Sequence, residues 1–267
     1  MANTTTKAAD EATDYCPGCG EHDPLGQHPH DCGREDSTIH ARAKGSIPMY
    51  LSGAVREELR GLKHMGFMRT PNMGNKVEPG PAWGADTGCY SKKGVKAFNE
   101  AKYLGWLSRQ DAATCLFATA PDRVGDSRAT IELARPVLPK IRALGLPAAF
   151  ILQEGAEFDP SLRPEWDEFD CLFIGGETEE WKLSKGVAAL VREAKARGKW
   201  VHMGRVNTLT RYRGALAMGC DSVDGTMIAW GPSVNIPKLR NWQRKMVAQV
   251  KQPELPLVAR VARRKAA

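Results

Sequence analysis

The stretch Cys171-Leu172-Phe173-Ile174-Gly175-Gly176, carried through to Lys199-Trp200-Val201-His202-Met203-Gly204-Arg205, decides the fold class. Each of its two apolar runs has the length of a buried strand. Between them, residues 179–197 set Trp181, Val187, Leu190 and Val191 among charged side chains at helical spacing, and Gly198 supplies a stop. Strand, amphipathic crossover and strand form a βαβ unit, which pairs its strands in parallel.

The same alternation extends outward in both directions. Apolar runs stand at 47–51, 66–69, 82–85, 115–118, 148–153, 171–175, 199–204 and 222–225. Helical patterns are expected over 55–64, 93–108, 127–144, 179–197, 208–218 and 237–250, with only short helices or loops after the second and fifth runs. Eight strand-like runs with crossovers fit an α/β fold of the (β/α)8 TIM-barrel type, although a doubly wound open sheet has the same periodicity.

The run ends tip the balance. In a barrel, chemistry collects at the C-terminal strand ends. Here those ends read Asp86-Thr87-Gly88, Thr119-Ala120-Pro121-Asp122, Gln153-Glu154-Gly155, Gly175-Gly176-Glu177, Met203-Gly204-Arg205 and Asp224-Gly225-Thr226. Six polar or glycine-rich ends suggest one continuous mouth. Asp86 and Asp224, far apart in sequence, can face each other across it. Two carboxylates flanking a pocket suit attack at an anomeric carbon, one as nucleophile and one serving the leaving group. Each is equally the type of residue that caps a helix. The glycines 175–176 would let a ligand approach the backbone with N–H groups free, or form a plain turn. Gln153 suits reading a base edge, or capping a loop.

The flanks differ from this body. Residues 1–45 form a polar segment rich in Cys and His, 46–251 the barrel, and 252–267 a basic tail. Positions 1–40 carry Lys7 and Arg34 against eight acidic residues, whereas the remainder has 36 basic and 23 acidic residues. Such a basic body suits a polyanion, with nucleic acid the usual one, or serves solubility alone. Candidate phosphate contacts are Arg205, Arg211, Arg213, Lys238, Arg240, Arg244 and Lys245, each of which also suits a solvated helix face. No run approaches the length of a membrane span, and the first residues lack the apolar core of a secretory signal. With seven cysteines and no disulfide pattern, a reducing cytoplasm is expected, bacterial or that of a phage-infected host. Cys16 and Cys19 have the spacing of half a tetrahedral zinc site, which Cys32 and one histidine would complete. His28 is the expected fourth ligand, with His22 and His30 as alternatives. A redox pair and unmetallated loop cysteines are the competing readings.

Five segments in order resemble the guanine transglycosylases of the queuine tRNA-ribosyltransferase superfamily, over most of residues 46–242. They are Asp86-Thr87-Gly88-Cys89-Tyr90, Gln153-Glu154-Gly155, Gly175-Gly176-Glu177, Val201-His202-Met203-Gly204 and Gly219-Cys220-Asp221-Ser222-Val223-Asp224-Gly225. The resemblance implies a (β/α)8 barrel that exchanges guanine in a nucleic acid for a 7-deazaguanine. It implies Asp224 as nucleophile on C1′, with Asp221 the competing candidate, and Asp86 as general acid/base. It also implies a base pocket of Gln153, Gly175, Gly176, Met203 and Gly204, with Thr87 beside the leaving purine. The family's aspartate after the fourth strand falls near Ala118, so Asp122 or Asp126 is the candidate replacement. Glu177 stands where the family has an apolar residue.

The family's C-terminal zinc motif has no counterpart, since no cysteine follows Cys220. The segments 120–126, 173–176 and 199–205 are more similar to the DpdA-type DNA-guanine transglycosylases of phages and bacterial modification clusters. That branch implies double-stranded DNA and a 7-deazaguanine such as preQ0 as partners, with no organic cofactor. The same exchange on tRNA and a catalytically inert nucleic-acid-binding barrel are the alternatives.

Overall fold

The structure, a computed structural model, describes residues 46–54, 56–72, 80–91, 94–95 and 98–251. The cluster Cys16, Cys19, His28 and Cys32 and the tail 252–267 lie outside the described residues. Eight strands close a parallel barrel: β1 (Met49–Ser52), β2 (Met65–Arg69), β3 (Trp83–Ala85), β4 (Cys115–Thr119), β5 (Ala148–Leu152), β6 (Cys171–Ile174), β7 (Trp200–Met203) and β8 (Ser222–Gly225). Each pairs with its sequence neighbours, and β8 returns to β1 in the register Leu51↔Asp224. An open doubly wound sheet would end in two edge strands, each with a single partner. Here all eight strands have partners on both sides and the order closes on itself, so the chain is a (β/α)8 barrel.

The crossover helices are α1 (Glu100–Leu107), α2 (Ser127–Ala134), α3 (Leu138–Ala143), α4 (Glu179–Lys182), α5 (Lys185–Ala196), α6 (Leu209–Met218) and α7 (Pro232–Lys251). Several differ from the sequence expectation, for local reasons. The expected helix over 93–108 starts only at Glu100, where the Asn99 side chain accepts from Lys102 N at 2.9 Å. The expected helix over 127–144 is two helices. Pro136, between them, has no N–H to donate and its ring would strike the turn before it. Residues 179–197 also divide, because Ser184 caps α5 through Val187 N at 3.2 Å. Over 56–64 the described residues form a single 3₁₀ turn, Glu57–Leu59, and β5 is followed by 3₁₀ turns rather than a helix. Conversely, α7 begins five residues before its expected start, with Pro232 at its first position.

Strand parity divides the core. Leu51, Met68, Phe117, Ile151, Phe173 and Trp200 fill the barrel interior. Tyr50, Phe67, Phe150, Leu172, Val201, Met203 and Val223 face outward against Ile141, Val187, Leu190, Tyr212 and Leu239 of the helices. On β7, therefore, Trp200 and His202 point inward, and on β8 so do Ser222 and Asp224. The register sets Ser222 beside His202.

The N-terminal strand ends are fastened by a repeated device. Asp170, just before β6, accepts from the backbone N of Ala148 at 2.9 Å and takes a two-pronged contact from Arg142 at 2.8 and 2.9 Å. Asp221, just before β8, accepts from Val201 N at 2.8 Å and from Lys195 Nζ at 2.6 Å. In both cases an aspartate takes the N–H of the preceding strand and a cation from the helix that leads into that strand.

Candidate active site

At the other end, the C-terminal strand ends enclose a cleft of about 240 Å³. That is below the roughly 300–1,000 Å³ of drug-sized pockets and suits a single heterocycle. Of the residues anticipated from sequence, the cleft brings together Asp86, Asp122, Gln153, Gly175, Gly176, Gly204, Arg205 and Asp224. Two others lie outside it. Met203 has outward parity and is buried in the strand–helix core. Thr87 faces an adjoining cleft with Asn72, Cys89 and Tyr103.

The carboxylates occupy unlike surroundings. Burial pushes the Asp86 carboxyl up from its ordinary value, against the pull of the Gly88 N–H that donates to its Oδ1 at 2.6 Å, and nearby Asp224 adds to the rise. Asp122 is pushed up to about 7, first by burial and then by Asp86, with Arg205 opposing. Its Oδ2 accepts from Gln153 Nε2 at 2.8 Å. Gln153 is itself fixed, since its Oε1 accepts from Gly125 N at 3.1 Å and Gly176 N at 3.3 Å. The expectation of free N–H groups at 175–176 is therefore corrected. Gly175 N donates to Leu152 O at 3.0 Å and Gly176 N to Gln153. Gly176 is needed instead for its left-handed backbone, φ 55°, against the Trp181 ring.

Asp224 Oδ1 receives the backbone N–H of Arg205 at 3.2 Å and lies 3.0 Å from His202 Nε2. Arg205 adopts φ 59°, a left-handed conformation that costs a non-glycine residue about 1 kcal/mol or more. Arg211 braces that turn: its Nη1 donates to Arg205 O at 2.6 Å and its Nε to Glu179 Oε2 at 3.2 Å. A side chain at position 204 would meet the Phe173 ring at 2.7 Å, so Gly204 is required where the loop passes behind Asp224.

Sequence reasoning missed two parts of this site. Lys182 is fully buried and lines the cleft, donating to Gly175 O and, at 2.8 Å, to Gly204 O. Burial pushes it down to about 8, with Asp224 opposing. Its position in an amphipathic helix pattern concealed it. The other is His202, fully buried between the Phe117 and Phe173 rings at centroid distances of 4.7 and 4.4 Å. Counting two residues back from Asp224 to Ser222, then across to β7, would have found it.

The candidate phosphate contacts separate. Arg205 is at the mouth and Arg211 serves as a brace, while Arg213 and Lys245 are exposed on α6 and α7. Lys238 is exposed with its Nζ 5.3 Å from the Trp242 ring centre. Arg240 and Arg244 line a larger cleft with Lys63 and His64, at the N-terminal end of β2 and so opposite the carboxylates. Asp221, the competing nucleophile candidate, lies at that far end too, held by Lys195 and Val201 N. Among the described residues, Cys89, Cys115, Cys171 and Cys220 are free thiols, and no group of three or more His, Cys, Asp or Glu side chains is arranged to hold a metal ion. No described helix is long and apolar enough to cross a membrane.

No protein-family model matches the sequence, and neither does any curated protein. Among solved structures, oxaloacetate acetylhydrolase in complex with the product oxalate aligns at 13% identity and a TM-score of 0.36, over 67% of this chain and 65% of that one. The chain thus spans less than two thirds of that protein, and a likeness at this score carries no functional argument.

Proposed function

We propose that this chain is a glycosyltransferase, a DNA guanine transglycosylase that exchanges guanine for a 7-deazaguanine of the preQ0 type. The observation that carries the reading is the pair Asp224 and Asp86, carboxylates of unlike environment facing one heterocycle-sized cleft at the barrel mouth. An Asp224 carboxylate oxygen forms a bond to C1′ of the deoxyribose as the C1′–N9 bond breaks. The electron pair leaves on guanine, which takes a proton from Asp86, whose acid form burial favours. The ionised Asp86 then removes the N9 proton of the incoming base. N9 attacks C1′ and expels Asp224, so atoms and charge balance over the cycle.

Gln153 and Asp122 form the polar wall for the base edge, and Met68, Val124, Ile151 and Phe173 the apolar one. Reaching a guanosine in duplex DNA requires extruding it, at a cost of a few kcal/mol. Arg205 is the contact best placed for a phosphate at the mouth, while Arg240 and Arg244 line the cleft at the opposite end of the barrel. A structural zinc held by Cys16, Cys19, His28 and Cys32 is a separate proposal. It requires one metal equivalent in the purified protein, and two or none would refute it.

The test is nucleoside mass spectrometry after incubation with preQ0 and either duplex DNA or unmodified tRNA. A deoxyribosyl-preQ0 product from DNA is expected. Product from tRNA alone would transfer the reading to the tRNA reaction. No product from either, across several deazaguanines, would overturn transglycosylation in favour of an inert binding barrel.

A further inference from the structure

Behind Asp224, a line of hydrogen bonds runs through the barrel interior. The Trp200 indole Nε1 donates to Ser222 Oγ at 2.8 Å, Ser222 Oγ lies 2.8 Å from His202 Nδ1, and His202 Nε2 lies 3.0 Å from Asp224 Oδ1. We propose that His202 is a positioning residue that holds Asp224 through its Nε2–H, leaving Oδ2 as the oxygen that attacks. This rests on the nucleophilic role proposed above for Asp224.

The direction of each bond follows from donor chemistry. An indole N–H can only donate, so it occupies a lone pair of Ser222. An ionised carboxylate can only accept, so the proton between His202 and Asp224 belongs to Nε2. Burial lowers the His202 pKa and favours the neutral ring, which then has no proton at Nδ1. Nδ1 therefore accepts the Ser222 hydroxyl proton. Every donor in the line has an acceptor, and only one tautomer satisfies all of them.

The consequence lies at the carboxylate. Oδ1 is held by two donors, the imidazole N–H and the backbone N–H of Arg205. The described contacts place no protein donor on Oδ2, and Asp224 lines the cleft. The less encumbered oxygen is the better nucleophile. When Oδ2 becomes the ester oxygen, Oδ1 becomes the ester carbonyl. The same two donors then stabilise the charge that returns as the incoming base expels the carboxylate. Phe117 and Phe173 keep the ring from turning, so the alignment exists before substrate binds.

The experiment has two arms on the full chain. Imidazole ¹⁵N NMR of the wild type should show His202 neutral and protonated at Nε2 at pH 7. In Ser222→Ala the carboxylate should still keep the proton on Nε2, while loss of the hydroxyl donor moves the Nδ1 resonance. A wild-type ring protonated at Nδ1, or at both nitrogens, would overturn the proposal. In the kinetic arm, His202→Leu should lower kcat about 100-fold, the scale of one preorganised donor, with KM within about threefold. His202→Gln sets an amide N–H near the Nε2 position and should recover about tenfold of that loss. A kcat unchanged in His202→Leu, or a Gln variant no better than Leu, would also overturn it. If His202→Leu does not fold, His202→Gln against the wild type serves for the kinetic arm: kcat about tenfold lower with KM within about threefold is expected, and an unchanged kcat would overturn the proposal. Should the wild type exchange no base, the function fails by that result, while the NMR arm still decides whether His202 holds Asp224.

Discussion

Asp221, just before β8, and Asp224, within it, stand three positions apart, yet the barrel puts them to opposite uses. At the N-terminal end, Asp221 is almost wholly buried, ion-paired to Lys195 and bonded to a strand N–H. Asp170 repeats the arrangement with Arg142. Every partner there neutralises another. At the C-terminal end, Asp224, Asp86 and Asp122 crowd one cleft, two of them with raised pKa, beside a lysine lowered by burial and an arginine in a left-handed turn. The first end satisfies its charges and the second leaves them poised. That division is the one expected of a barrel whose stability and chemistry sit at different ends.

The comparison can be broken by substitution. Asp224→Ala should lower base exchange by about 10⁴-fold or more while leaving Tm within about 2 °C, measured by nucleoside mass spectrometry and thermal melting. Substantial residual exchange would remove Asp224 from the mechanism. Asp86→Asn should cost about 10²–10³-fold in kcat. The sign of its pH effect follows from the raised carboxyl. The wild-type rate should fall as pH rises through that pKa and the acid form is lost, and the variant should lack that limb.

Asp221→Ala should do the reverse. It strands the Val201 N–H and leaves Lys195 able to reach water, costing about 2–3 kcal/mol, or a Tm lower by about 5–10 °C. Exchange per folded molecule should be unchanged, and a catalytic loss there without a stability loss would invert the assignment of the two ends. The smallest effect is expected at Asp122. Its folded pKa, about 7, exceeds the unfolded value, so the native state holds a proton that the unfolded chain releases. Stability is thereby reduced increasingly from about pH 4 to about pH 7 and stays reduced above. Asp122→Asn keeps an acceptor for Gln153 and should raise Tm by about 3–6 °C at pH 8, after allowance for partial exposure, with little change at pH 3.

Much of this was legible in the chain because strands that are buried on both faces read as short apolar runs, and all eight appear in the sequence at their observed places. The helix breaks at Pro136 and Ser184 were overlooked because the amphipathic pattern continues across both, although the proline ring and the serine cap end it locally. Trp200-Val201-His202-Met203 shows no alternation, since both faces are covered. Parity therefore could not be read from polarity, and Met203 was placed in a pocket from which it points away.

The sequence by itself determined the strand count, the crossover pattern and the polar character of the strand ends, because burial of apolar runs and helix spacing are local properties. The tertiary structure decided what those properties leave open. Closure brought Asp86 and Asp224, on β3's end and β8, to one cleft, and register set Ser222 against His202. It assigned Asp221 to the fastening and Asp224 to the mouth. Such choices depend on which side chains meet across the barrel and how far each is withdrawn from water, and neither distance nor desolvation is written in the order of residues.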